Sequence, residues 1–279
     1  MLHERHPQPL KFLREVIAMG TQDISAATPA GASSILCRSL VLAYGVFSYA
    51  IFSVVFVYFI GFVVDLFVPR SVDRGPEAQP LLAVFTNLGL IALFALQHTL
   101  MARSSFKQWL TRFIPVAAER STFVLVTSLV LGALCYYWRP LPEIVWQVEF
   151  VPLAGLLWTS CAAGWLLVFA SSYMIDHYDL FGLRQVWLCF RRREYCHSPF
   201  VTRGAYKYVR HPLMLGVLLG VWSIPTMTQG HLLLALGLTA YIMIGIAYEE
   251  RDLVRYLGMP YRKYQQTVPQ LFPWRRRSR

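Results

Sequence analysis

Arg210, His211 and Pro212 stand at the head of one short apolar segment, and Glu249 with Glu250 stand near the foot of the next. A hairpin of the two segments brings these charged ends together. Pro212 fits the first position of a helix, where its missing N–H costs nothing. Arg210 and His211 then precede a helix N-terminus, whose free N–H groups and positive dipole end favour an anion. Gly216 and Gly220 are spaced as a small-xxx-small pair that admits a second helix. Gly237, Tyr241, Gly245 and Glu249 recur every four residues, a mostly small face that ends in a carboxylate. Adjacent on a helix, Glu249 and Glu250 point about 100° apart. One is expected to face a ligand and the other to hold a basic partner such as Arg210 or Arg262. Two acids at a helix C-terminus oppose its dipole, which calls for a local reason. Such a site suits a ligand with one anionic and one cationic end.

Two further stretches carry polar groups beside apolar runs. Gln97 and His98 lie near the end of an apolar segment; ionisable groups inside membranes are by default functional, whereas a histidine one turn from the interface is simply solvated. The run His177 to Gln185 (HYDLFGLRQ) is too short to cross a bilayer. It reads either as a lid or re-entrant segment that offers Asp179 and Gln185 to a ligand, or as an interfacial helix whose Asp179 and Arg184 pair with lipid and solvent. The five cysteines show neither zinc spacing nor a disulfide framework and read as structural.

The elements that position these residues are membrane spans. Hydrophobic residues make up 56% of the 279 and charged ones only 15%, against about 25% in soluble domains. Mean hydropathy is +0.45. Apolar runs of about the 20 residues a bilayer requires predict spans over Leu40–Val64, Leu81–Met101, Thr122–Trp138 and Val151–Met174. Shorter spans follow over Pro212–Met227 and Leu232–Tyr248, six in all. The expected fold is an all-α integral membrane protein with a C-terminal helical hairpin and a cytoplasmic site. Residues 1–38 read as a mobile cytoplasmic tail with a short surface helix at Leu10–Met19, residues 39–174 as a four-helix region, and residues 175–279 as lid, hairpin and tail. With the N-terminus inside, 23 of the 26 Lys and Arg fall on the inner side, leaving Arg70, Arg74 and Arg139 outside. Topology and anionic lipid therefore explain the net charge of +11, and nucleic acid is not an expected partner.

The order Arg-His-Pro, Gly216, Glu-Glu, Gly258-x-x-Tyr261-x-x-Tyr264 and a hydrophobic-Pro ending resembles the C-terminal signature of the isoprenylcysteine carboxyl methyltransferase-like membrane enzymes. FALQHTLMAR (Phe94 to Arg103) and HYDLFGLRQV (His177 to Val186) resemble, more narrowly, the methanethiol S-methyltransferase branch, related to NnrU-type membrane proteins. These blocks cover most of the chain from about residue 40. The resemblance implies S-adenosylmethionine as cofactor, held by Tyr206, Tyr208, His211, Pro212, Glu249, Glu250, Tyr261 and Tyr264, and a small volatile thiol as substrate, near Gln97, Arg184, Gln185 and Tyr241. The four tyrosines then either cover an adenine or form an interfacial aromatic belt. It also implies methyl transfer to a thiolate at a bacterial inner membrane, both termini cytoplasmic. A base such as His98 or Asp179, or a positive field from Arg184 or Arg210, would help the thiol ionise.

One departure bears on the acceptor. Enzymes that methylate a prenylcysteine carboxylate typically place Arg-Ile four residues before Glu-Glu, where this chain has Gly245-Ile246. Loss of that guanidinium fits an uncharged thiol. Other expectations are a related methyltransferase acting on another thiol, a prenylcysteine or a lipid; an NADPH-dependent reductase of the sterol type; and a non-catalytic NnrU-like factor. Cofactor binding separates them.

Overall fold

The computed structural model describes residues 34–196 and 202–273; most of the N-terminal tail, with its expected helix at residues 10–19, lies outside them. Helix α1 spans Ile35–Val64, with the Ser34 side chain accepting from the Cys37 N–H at its start, so residues 35–38 belong to the first span. Helix α2 spans Pro80–Ala102 and α3 Ser104–Leu110. A 3₁₀ turn at Val116–Ala118 leads into α4, Glu119–Tyr137. Strand β1 (Ile144–Gln147) and α5 (Val151–Ile175) follow, then the short α6 (His177–Leu180) and α7 (Leu183–Phe190). After a 3₁₀ turn at Gly204–Lys207 come α8 (Pro212–Trp222), β2 (Thr226–Thr228), α9 (Gln229–Leu257) and α10 (Met259–Thr267). Proline stands in the first turn of α2, α5, α8 and α10, where no N–H is missed.

Five helices are long and apolar enough to cross a membrane. The expected span at Pro212–Met227 differs, because its helix stops at Trp222. Pro225 has no N–H to continue a helical ladder, and residues 226–228 pair with β1 as an antiparallel two-stranded sheet, the one strand element in an otherwise helical chain among the described residues. Length still matches. α8 rises about 16 Å and the six residues after it can add up to about 20 Å, against about 33 Å for residues 229–250 of α9. Ser223, Ile224 and Met227 in the non-helical stretch are buried, and the Pro225 carbonyl accepts from the Val148 N–H.

Helix directions alternate, so the ends sort into two groups. At the sheet end, Phe59, Phe62, Trp138, Trp165, Val221 and Leu234 form the main apolar core. At the other end gather the termini that carry Gln97 and His98, Arg120, residues 176–185, Arg210 with His211, and Glu249 with Glu250.

The closest helix contact is α5 on α8, where three glycines replace side chains. A Cβ on Gly164 would stand 2.7 Å from the Gly216 carbonyl oxygen and the Gly220 nitrogen, and one on Gly216 would stand 2.6 Å from the Gly164 carbonyl oxygen. Both obstacles are backbone, so neither can yield without parting the helices. Gly216→Val is expected to destabilise the detergent-solubilised protein by about 3 kcal/mol, the upper range for overpacking. Gly89→Ala, where nothing lies within 4 Å, is expected to be neutral or slightly stabilising. Thermal unfolding of the two variants checks the contrast.

Candidate functional site

The hairpin ends meet. Arg210 Nε donates to Glu250 Oε1 at 2.7 Å, and the same oxygen lies 3.0 Å from His211 Nε2. Side-chain exposures of 9% for Arg210 and 13% for Glu250 make this a nearly buried pair, which is stable only when its remaining donors and acceptors are met. They are met by the C-terminal segment: Arg210 donates to the Gln265 and Val268 carbonyls, and Gln265 Nε2 donates to Glu250 Oε2 at 3.0 Å. The Arg210 and His211 N–H groups donate to the Pro269 and Gln270 carbonyls. Of the two roles expected from the 100° separation, the basic partner falls to Glu250, which takes Arg210.

Glu249 is left on another face, 3.7 Å from His211 Nδ1. That face begins with Leu234, Leu238 and Ile242, which are 0, 6 and 5% exposed, and continues through Gly245 to Glu249. There the packing stops. A Cβ at Gly245 would meet nothing within 4 Å, and the Glu249 side chain is 48% accessible although it points away from lipid-side residues such as Leu236, Met243 and Ile244. Open space thus borders the inward side of α9 at Gly245 and Glu249. His98 Nδ1 and the Tyr241 hydroxyl pair at 2.7 Å, two turns or about 12 Å along α9 from Glu249.

The tyrosines divide. Tyr261 is 2% exposed, and the Tyr264 hydroxyl donates to the Tyr206 carbonyl. Burial pushes the Tyr264 hydroxyl up to about 12 and raises those of Tyr206 and Tyr261, the charge of Glu249 adding to the rise at Tyr206. All three remain protonated donors at neutral pH. Tyr208 is 70% exposed and points away. Pro212 opens α8, whose N-terminus has no side-chain cap.

The lid region is a second cluster. Asp176 caps α6 and takes Arg184 at 3.0 Å, with Arg184 also 3.8 Å from Asp179. Asp179 accepts from Gln185 Nε2 at 3.2 Å and from the Tyr195 hydroxyl at 3.1 Å. Gln97 faces α4 instead, with Nε2 3.3 Å from Thr127 Oγ1. The cations proposed from sequence to assist a thiol are thus both committed to carboxylates. An apolar groove between α1 and α5, lined by Ile60, Trp158, Trp165 and Phe169, holds no acid or cation and lies apart from these clusters.

Three groups were not singled out from sequence. Arg120 donates from Nε to the Leu180 carbonyl at 2.7 Å; positive residues are expected at this end of any span, so nothing marked it. Gln265 lies in the polar tail. His177 opens the lid block but stacks on Tyr173 with ring centroids 4.2 Å apart. Ser172 Oγ spends its proton on the Phe169 carbonyl at 2.7 Å, so His177 Nδ1–H donates to Ser172 Oγ and Nε2 accepts from the Tyr49 hydroxyl, each at 2.8 Å. Burial lowers the pKa of His177 despite the nearby Asp176, so the native ring is neutral.

No family model matches this chain, and no solved structure matches it. It is 48% identical over 239 residues to methanethiol S-methyltransferase 2 of Bradyrhizobium diazoefficiens, an alignment that covers 85% of this chain and 91% of that protein. It is 46% identical over 237 residues to methanethiol S-methyltransferase of Mycobacterium tuberculosis, covering 85% and 97%. Nurim of Bos taurus is 34% identical over 180 residues, 61% of this chain and 68% of Nurim.

Two outcomes follow from the geometry. Glu250→Gln strips the charge from a nearly buried pair and is expected to cost about 3 kcal/mol of stability, against under about 1 kcal/mol for the accessible Glu249→Gln, read by thermal unfolding. A histidine held below its ordinary value contributes stability that is complete above about pH 6.5 and is lost as pH falls through that value. His177→Gln should therefore flatten the decline in melting temperature between pH 7.5 and 5.5; an unchanged slope would assign that decline to other groups.

Proposed function

The chain belongs to the methanethiol S-methyltransferase family, and from that premise we propose that it methylates methanethiol to dimethyl sulfide, with S-adenosylmethionine as methyl donor, in the open space at Gly245. The open space at Gly245 carries this reading, because Glu249 and the His98–Tyr241 pair flank it along α9 and it lies where a carboxylate-methylating enzyme of the resembled kind would place a guanidinium. The membrane-spanning helices around it are the elements shown above. We further propose that residues 212–228 make a sixth crossing, its non-helical half tolerated because it is buried in protein, and that both termini and the site face the cytoplasm, a reading the Lys and Arg distribution supports.

The residues fit such a cofactor. Glu249 offers a carboxylate that no Lys or Arg engages among the described residues, its basic neighbour being His211 at 3.7 Å, which suits the donor's sulfonium or amino group. The uncapped N-terminus of α8 with His211 suits its carboxylate, and Tyr206, Tyr261 and Tyr264 suit its ring system. When bound, the donor supplies an electrophilic methyl carbon. The chain's part is positioning and exclusion of water. Arg210 and Glu250 hold the start of α8 against α9 and are positioning groups. His98 and Tyr241 close the opposite end, where the acceptor is expected; Asp179, Arg184 and Gln185 shape the lid above it, and Pro212 fixes the turn into α8.

Headspace gas chromatography on the purified protein with S-adenosylmethionine and methanethiol tests the reaction, and dimethyl sulfide above the protein-free control is expected. Gly245→Leu tests the place. It fills the open space without touching a charged group, so calorimetric S-adenosylmethionine affinity or turnover should drop at least tenfold while the melting temperature holds. Unaltered binding and turnover in that variant would move the site elsewhere.

A further inference from the structure

Arg120 lies in the first turn of α4 and is held from two sides. Its Nε donates to the Leu180 carbonyl, and its guanidinium carbon lies 4.8 Å from the Phe123 ring centroid. The approach of α6 depends on Gly182, which has φ +85° and whose Cβ would stand 2.8 Å from the Ser121 nitrogen. Phe123 also meets the His98 ring at 5.0 Å, so guanidinium and imidazole are within about 10 Å of each other across one aromatic face. Neither terminal nitrogen of Arg120 bonds a described residue, and no carboxylate pairs with it among the described residues. Yet neither belongs to the buried orphaned atoms, so both reach accessible space.

Its surroundings contain charge without neutralising it. Glu119 lies on its own helix, Lys107 on α3, His98 on α2, and Asp179 and Tyr195 on the lid side. Asp179 is already engaged by Arg184, Gln185 and Tyr195. A held cation with two free donors, within about 10 Å of His98, is an anion seat.

Resting on the methyl-transfer reading, we infer that Arg120 is the catalytic group that binds the acceptor as thiolate beside His98. The S–H proton passes to water. The sulfur's freed pair forms the new C–S bond while the methyl's old C–S bond breaks, its pair remaining on the donor sulfur. Stabilising the thiolate raises its population tenfold for each unit by which the thiol pKa falls, and the thiolate is the nucleophile.

The test uses the full-length protein in detergent as wild type, Arg120→Gln and Arg120→Lys. With S-adenosylhomocysteine bound so that no transfer occurs, calorimetric titration of methanethiol in two buffers of different ionisation enthalpy counts protons released. About one per thiol is expected for wild type and Arg120→Lys, and none for Arg120→Gln. In turnover, Arg120→Gln should shift the rising limb of kcat/KM upward by at least one pH unit, lose about tenfold or more at pH 7, and recover toward wild type at high pH. Equal proton release from wild type and Arg120→Gln, or a loss uniform across pH, overturns the assignment. Absence of dimethyl sulfide from wild type would overturn the methyl-transfer reading separately, since proton release is measured without turnover.

Discussion

A nearly buried ion pair fixes the geometry at one end of this protein. Arg210 and Glu250 give up hydration to meet, a cost that attraction alone seldom offsets, and the balance is restored by carbonyls and an amide from residues 265–268. Three separate stretches of chain are bound in one set of hydrogen bonds as a result. Because Glu250 is consumed in this way, Glu249 is left on another face beside His211, and the start of α8, which has no side-chain cap, is held against α9.

The two ends of the bundle are built on different principles. At the sheet end, aromatic and aliphatic side chains interlock around Phe62, Trp138 and Trp165, and the backbone is tied by β1, β2 and the Asn87 side chain bonded to the Arg139 main chain. At the other end, apolar packing along α9 ends with Ile242 and Ile246 against Leu271, and polar groups take over at Glu249 and Glu250. The dense end supplies the rigidity against which the loosely filled end can hold fixed dipoles, the condition under which such groups act on a bound ligand.

Much of this was legible in the sequence. Long apolar runs predicted four of the five long helices because backbone satisfaction in lipid leaves few other structures, whereas the fifth, read as the short span Leu232–Tyr248, runs on through polar residues to Leu257; adjacent glutamates had to diverge because helical geometry allows nothing else. Pro212–Met227 read as one helix because hydropathy counts side chains and is blind to backbone; the break at Ser223–Pro225 depends on β1, some 80 residues away. Arg120 was hidden for the opposite reason. It obeyed the charge rule for the inner side of a span, so its composition carried no surprise, and only the Leu180 carbonyl and the Phe123 ring distinguish it from Arg112 nearby. Tyr208 shows the converse, being placed by a motif but turned outward by the fold.

The hydrogen bonds that satisfy Arg210 come from residues synthesised more than fifty positions later. Until residues 265–270 have left the ribosome, Arg210 and His211 lack their main-chain acceptors, and Glu250 lacks Gln265. The sheet end can assemble as its helices enter the bilayer, but the polar end closes only once residues 265–270 have emerged. A chain interrupted before them would thus be inserted and partly folded, with Arg210 and Glu250 still lacking their partners.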